Sequence, residues 1–170
     1  MAAVDFELQL AKPDDASALA VLARDLIEAG LGWEYRAPRI AGLISNTEAV
    51  SLVARARRRI CGFGIMSFGD ERSHLVLLAV LPSYQRTGIG RSIIRWLLDS
   101  AMVAGVASVH VELRASNRAA HAFYRTLGFE QTLYVPGYYR GREAAVRMLR
   151  MLRAPGIWAP RWQPPPRGAR

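Results

Sequence analysis

A single cysteine, Cys61, and a single lysine, Lys12, occur in the 170 residues of this chain. One thiol cannot close an intramolecular disulfide, and it is too few for a cysteine-based metal site. No stretch approaches the roughly 20 consecutive apolar residues of a membrane span. The opening residues Met1-Ala2-Ala3-Val4-Asp5 have neither the basic start nor the apolar run of an export signal. These absences predict a cytoplasmic protein with no membrane partner. The scarcity of lysine means that the 23 basic residues, set against 14 acidic ones for a formal net charge of +9, are nearly all arginine. They are spread through the chain, as a genome-wide codon bias toward arginine would leave them. No recognition helix with clustered basic residues, RNA-binding aromatic motif or zinc spacing accompanies them, so nucleic acid is not the expected partner. His74, His110 and His121 show no ligand-like spacing, and no metal is expected. Cys61 lies in an apolar segment and reads as a buried core thiol.

What is present is enough apolar sequence, 51% of the chain, for one globular domain. Phe6, Leu8 and Leu10 alternate with polar residues as a first strand would, and Leu19, Leu22, Ala23, Leu26 and Ile27 keep helical spacing up to Gly30 and Gly32. A short helix is expected over residues 39–44. Two strands, residues 50–54 and 60–68, should form a hairpin around a turn at 55–59. Leu75-Val76-Leu77-Leu78-Ala79-Val80 is apolar without alternation, the pattern of a central strand covered on both faces. Ile93, Ile94, Leu97 and Leu98 predict the next helix, residues 106–114 a further strand, and Asn117 the cap of a helix running to Gly128. Strands over residues 131–135 and 144–152 flank a loop, Pro136-Gly137-Tyr138-Tyr139-Arg140-Gly141. The predicted order is β-α-α-β-β-β-α-β-α-β-β. Residues 1–153 are expected to form the domain. Residues 154–170, with five of the nine prolines together with Trp158 and Trp162, read as an irregular tail rich in proline and arginine.

Between the apolar strand and the following helix stands Gln85-Arg86-Thr87-Gly88-Ile89-Gly90-Arg91. A helix N-terminus behind glycines offers unpaired N–H groups and the positive end of the helix dipole, which suits phosphate oxygens. Arg86 and Arg91 can add charge-assisted contacts. An ordinary tight turn yields the same glycine pair. The P-loop pattern is excluded because no Gly-Lys-Ser/Thr follows, and the dinucleotide fingerprint because no third glycine is in register. On the strand Val109-His110-Val111-Glu112-Leu113-Arg114 the polar residues alternate with apolar ones. Glu112 therefore shares a face with His110 and Arg114, and that face should border an open cleft. A carboxylate so placed can act as a general base, or simply pair with Arg114.

The string from Leu78 to Arg91, with Gln/Arg-x-x-Gly-x-Gly/Ala after a buried strand, resembles the signature of the GNAT acetyltransferase superfamily. Glu112-Leu113-Arg114-Ala115-Ser116-Asn117 and Ala122-Phe123-Tyr124-Arg125-Thr126-Leu127-Gly128-Phe129 resemble it too, most of all the branch that acetylates protein N-termini, such as the ribosomal-protein alanine N-acetyltransferases. The resemblance implies an α/β (α+β) three-layer fold, a mixed central sheet of about six to seven strands splayed at the cofactor cleft and flanked by about four helices. It implies acetyl-CoA as co-substrate and direct transfer of the acetyl group to an amine, a protein N-terminus among the candidates. The backbone of Leu78, Ala79 and Val80 would pair with the pantetheine arm. Gln85, Arg86, Thr87, Gly88, Ile89, Gly90 and Arg91 would hold the pyrophosphate, and Asn117 would touch the coenzyme near the thioester. Glu112 matches the catalytic base of the family and Tyr124 the acid that protonates the leaving thiolate, although an aromatic residue there could simply pack in the core. Tyr138 and Tyr139 resemble a two-tyrosine loop, and Trp33 with Glu34 an acceptor-side loop; together they would wall the substrate groove. A monomer or homodimer is expected. Two other readings remain: acetylation of a small amine or antibiotic, and a non-catalytic acyl-CoA-binding module. Retention of both Glu112 and Tyr124 weighs against the second.

Overall fold

Residues 4–153, which the computed structural model describes, form seven strands and four α-helices. They are β1 (Glu7–Leu10), α1 (Ala16–Leu26), α2 (Ala37–Ser45), β2 (Ala49–Ala56), β3 (Arg59–Phe68), β4 (Arg72–Val80), α3 (Ile89–Val103), β5 (Ser108–Arg114), α4 (Arg118–Thr126), β6 (Glu130–Tyr139) and β7 (Glu143–Met151). The expected tail from residue 154, with Trp158 and Trp162, lies outside the described residues. The strands make one sheet in the order β1-β2-β3-β4-β5-β7-β6, antiparallel except between β4 and β5. α1 and α2 cover one face, burying Leu19, Ala23 and Ile40 against Val53, Phe63 and Leu77. α3 and α4 cover the other, where Ile93, Leu97 and Tyr124 join Leu75, Val111 and Met148.

β4 explains the absence of alternation in its sequence. Ile65 of β3 stands opposite Leu77 and Met66 opposite Leu75, so Val76 is an extra residue with no partner of its own. This bulge reverses the side-chain parity. Leu75, Leu78 and Val80 pack toward α3 and α4, and Leu77 and Ala79 toward α1 and α2. The strand then loses its neighbour. Only Arg72, Ser73 and His74 pair with β5, opposite Ser108, Val109 and His110, whereas β5 pairs with β7 along its whole length. From Leu75 onward the sheet is open between β4 and β5, as the resemblance implied.

Two expected turns differ from the structure. The β2–β3 turn is only Arg57-Arg58, with φ values of 47° and 67°, and the strands run nearly to it. Such a turn ordinarily announces itself by Asn-Gly, which this sequence lacks. The expected loop 136–141 is largely strand: β6 continues through Pro136 and Gly137 to Tyr139. β6 lies at the sheet edge, where a proline without N–H removes no ladder bond, and the register slips between Val135 and Tyr139.

α3 lies close on β3 through Gly64. A Cβ there would stand 2.6 Å from Cγ2 of Ile93 and 3.2 Å from Cδ1 of Leu97, both in the core. Gly64→Ala is therefore expected to destabilise the fold by about 1–3 kcal/mol, read as a lower urea midpoint at unchanged slope.

Candidate active site

The gap between β4 and β5 is a cleft of about 600 Å³. Leu78, Glu112, Asn117, Tyr124 and Tyr139 all line it. Glu112 reaches it because on β5 alternate residues Val109, Val111 and Leu113 are buried toward α3, which turns His110, Glu112 and Arg114 to the other face. The Glu112 side chain is 13% exposed. Its Oε1 accepts from Nε of Arg147, directly opposite on β7, at 2.8 Å, and its Oε2 stands 3.1 Å from Nε2 of His74. The pairing of Glu112 with Arg114 that sequence proximity allows is not formed. Arg114 instead lies 3.4 Å from Glu143 and donates to the carbonyls of Ile27 and Ala29 at 2.9 and 2.6 Å, fastening the end of α1 and the segment after it to β5.

Tyr124 sits on α4, whose first turn is capped by Asn117, Oδ1 accepting from the amide of Ala120 at 3.0 Å. The Tyr124 ring packs edge to face on Phe123 and Phe129, at centroid distances of 5.3 and 5.4 Å. Both expected roles for this ring are thus physically compatible: it is a core aromatic and it borders the cleft. Burial pushes its pKa well above the usual tyrosine range, so it is a proton donor at neutral pH. Its hydroxyl makes no hydrogen bond to a described residue and is not among the enclosed unsatisfied side-chain atoms, which are the hydroxyls of Ser51 and Ser73; it opens to the cleft.

Residues 85–91 form the turn into α3 at the C-terminal end of β4. The Gln85 amide donates to the carbonyl of Val80 at 3.1 Å and the Thr87 hydroxyl to that of Tyr84 at 2.6 Å. The first bond of the helix runs from Ser92 N–H to Gly88 C=O, so the amides of Ile89, Gly90 and Arg91 have no intrahelical partner. Gly88 caps the helix at φ 92°, and a Cβ added to it would meet nothing within 4 Å. Its necessity is conformational rather than one of space within the protein. Arg86 also adopts a positive φ, 64°, and is exposed. The Ile89 side chain is buried in the core. Arg91 turns toward α4 and donates to the Thr126 hydroxyl at 3.1 Å.

The far end of the cleft is closed by the segment between α1 and α2 and by the β6–β7 hairpin. Glu34, Tyr138 and Tyr139 line it, and Arg140 stands 3.6 Å from Glu34, bridging the two walls. Trp33 does not line the cleft: its indole N–H donates to the carbonyls of Ala20 and Tyr35, both at 3.2 Å, and its ring packs on the α1–α2 layer. Burial, then Tyr138 and Glu112 nearby, push Tyr139 up to about 12.

Two residues of the cleft, His74 and Glu28, and one behind Glu112, Arg147, escape a reading of the sequence. His74 and Arg147 meet Glu112 only through strand pairing between distant segments. Glu28, 7% exposed, accepts the amides of Glu34 and Tyr35 at 2.7 and 3.1 Å, and so shapes the loop that closes the cleft. Nothing in its local sequence distinguishes it from a surface glutamate at a helix end. Among the described residues no group of three potential metal ligands occurs.

The model of the Acetyltransferase (GNAT) family matches residues 20–129. The ribosomal protein bS18-alanine N-acetyltransferase of Escherichia coli is 39% identical over 93 residues, 53% of this chain and 63% of that protein. The match thus spans less than two thirds of that relative. The crystal structure of the ribosomal-protein-alanine N-acetyltransferase from Escherichia coli superposes with a TM-score of 0.76 at 25% identity, over 91% of this chain and 99% of that one. NAA60 of Arabidopsis thaliana in complex with acetyl-CoA shares the fold, with a TM-score of 0.77 at 16% identity over 87% and 99% of the two chains.

Proposed function

The chain belongs to the GNAT acetyltransferase family, and from this premise we propose that it moves the acetyl group of acetyl-CoA to the α-amine of a protein N-terminus, with Glu112 as general base and Tyr124 as general acid. The observation that carries this reading is the parting of β4 from β5 beyond His74. It gathers Glu112, Asn117 and Tyr124 around one cleft, along the strand that leads on to the turn before α3. Residues 1–153 would form the catalytic domain, acting in the cytoplasm; no helix among the described residues is long and apolar enough to cross a membrane.

The residues present fit the co-substrate. The β4 backbone from Leu75 to Val80 has no strand partner on its β5 side; Ala79 turns its groups to Phe63 of β3 and the Val80 carbonyl takes the Gln85 amide, which leaves the N–H and C=O of Leu78 and the N–H of Val80 for the amides of the pantetheine arm. The unpaired amides of α3, with Gln85, Arg86 and Thr87 ahead of them, suit the pyrophosphate. Acetyl-CoA supplies a thioester carbonyl that a neutral amine can attack. Glu112 takes the proton of the amine directly or through water, and the Tyr124 hydroxyl donates toward the departing thiolate. An α-amine, with pKa about 7.7–8.0 against about 10.4 for lysine, is neutralised near pH 7 for roughly 3 kcal/mol less. One carboxylate suffices for it. The names of the relatives support this acceptor, and Glu34, Tyr138 and Tyr139 would flank the incoming peptide.

Titration calorimetry should detect acetyl-CoA binding to the wild-type protein. Gly88→Val should weaken it at least about tenfold, because a β-branched residue resists the left-handed φ that this cap requires. Absence of binding by the wild type would refute the reading. Mass spectrometry of peptides with free or blocked N-termini, alongside a panel of small amines, identifies the acceptor. Acetylation confined to small amines would overturn the peptide assignment, and binding without transfer would indicate an acyl-CoA-binding module.

A further inference from the structure

Each turnover leaves Glu112 holding a proton that must leave before the next amine arrives, and the carboxylate is 13% exposed. The two side chains that contact it differ in what they can do with that proton. Arg147 holds Oε1, but a guanidinium neither gives up nor gains a proton in this range. His74 is 3.1 Å from Oε2, lines the cleft and is 42% exposed. It stands on the last residue of β4 that pairs with β5, at the point where the sheet opens.

We propose that His74 carries the proton from Glu112 to solvent, an inference that rests on Glu112 being the general base. In this step the Oε2–H bond of protonated Glu112 breaks and an Nε2–H bond forms on neutral His74, restoring the carboxylate. The imidazolium then releases its Nδ1 proton to water, and exchange with solvent returns the ring to its starting tautomer. No electrons change hands and no further reactant is needed. Histidine suits the task because it gains and loses a proton close to neutral pH.

The surroundings leave His74 without a competitor. On β4, Arg72 lies two residues back; on β3 the opposite residue is Ser67, which does not titrate. On β5, His110 stands opposite, and burial, then Arg72 and His74, lower its pKa, so it stays neutral while it contacts the Ser108 hydroxyl at 3.0 Å. On β7 the charge is Arg147. Glu28, at the end of α1, lines the same cleft, but its oxygens are held by the amides of Glu34 and Tyr35. Among the described residues, two exposed side chains contact Glu112, and of these only His74 can exchange a proton with it, since Arg147 keeps its own.

His74→Gln keeps a side-chain acceptor, its amide oxygen, for the Oε2–H of protonated Glu112 but cannot carry the proton onward. With acetyl-CoA and a peptide of free N-terminal alanine, the variant is expected to lose about tenfold in kcat, with the acetyl-CoA dissociation constant unchanged. Added imidazole should raise the rate of the variant severalfold and leave the wild type unaffected, which loss of a merely structural contact would not produce. His74→Gln within twofold of wild type across pH 6–9, or a loss that imidazole does not relieve, would overturn the relay. The arm with Glu112→Gln separates the two levels. If Glu112→Gln is slow and His74→Gln is not, only the relay fails; if Glu112→Gln turns over normally, the assignment of the base fails and the relay with it.

Discussion

Replacing Glu112 by glutamine is expected to lower turnover by about 10²–10³-fold while acetyl-CoA binds within about twofold of its wild-type affinity. Glutamine has nearly the shape of glutamate, and its carbonyl can still accept from Arg147, so the β5–β7 pairing is kept. What disappears is a group able to take the proton of the amine. Arg147 loses its counter-charge but is 39% exposed, so water compensates most of that loss and stability should move by less than about 1 kcal/mol. The pH dependence carries the more specific signature. A peptide α-amine is mostly protonated at pH 7 and mostly neutral at pH 9, given a pKa of about 7.7–8.0. The variant, left to wait for amine already neutral in solution, should therefore gain rate with pH more steeply than the wild type, and its deficit should be widest near neutrality. Initial rates from pH 6 to 9 test this. A deficit of equal size at every pH would assign Glu112 to positioning instead of proton transfer.

The difference between local pattern and long-range pairing decides how much of this could be read from sequence. Helices α1, α3 and α4 were legible because their apolar residues recur at helical spacing and their ends carry Gly30, Gly88, Asn117 and Gly128. The central place of β4 was legible from its unbroken apolar run, and the polar face of β5 from its alternation. The bulge at Val76 was not, since an extra residue in a wholly apolar strand changes no pattern. Pro136 and Gly137 pointed to a loop because local breakers dominate when nothing in the sequence says that a strand is at the sheet edge. The partners of Glu112 lie outside any local rule: Arg114 is the near cation, but side chains two apart on a strand share a face at nearly 7 Å, whereas the cross-strand neighbour Arg147 is closer. Sequence could thus suggest that Glu112 faces a cleft. It could not suggest the arginine that holds one of its oxygens there or the histidine beside the other.

Tyr124→Phe separates the acid from the core aromatic with a similarly large effect. Phenylalanine preserves the ring and its edge contacts with Phe123 and Phe129, and removes only an oxygen that makes no hydrogen bond to a described residue. Stability should be nearly unchanged, because the hydroxyl opens to the cleft and its removal leaves no described partner unpaired. If the hydroxyl donates to the departing thiolate, kcat falls by about 10²-fold, and a residue that only packs would leave it unchanged. The sign of the burial effect adds a constraint. A tyrosine whose folded pKa is raised keeps its proton in the native state, so its stabilising contribution is complete below the unfolded value of about 10 and is lost only as pH rises beyond it. The wild-type rate should therefore show no falling limb from Tyr124 between pH 7 and 9. A limb in that interval that persists in Tyr124→Phe would belong to another group, and unchanged turnover in this variant would return Tyr124 to the core it visibly helps to build.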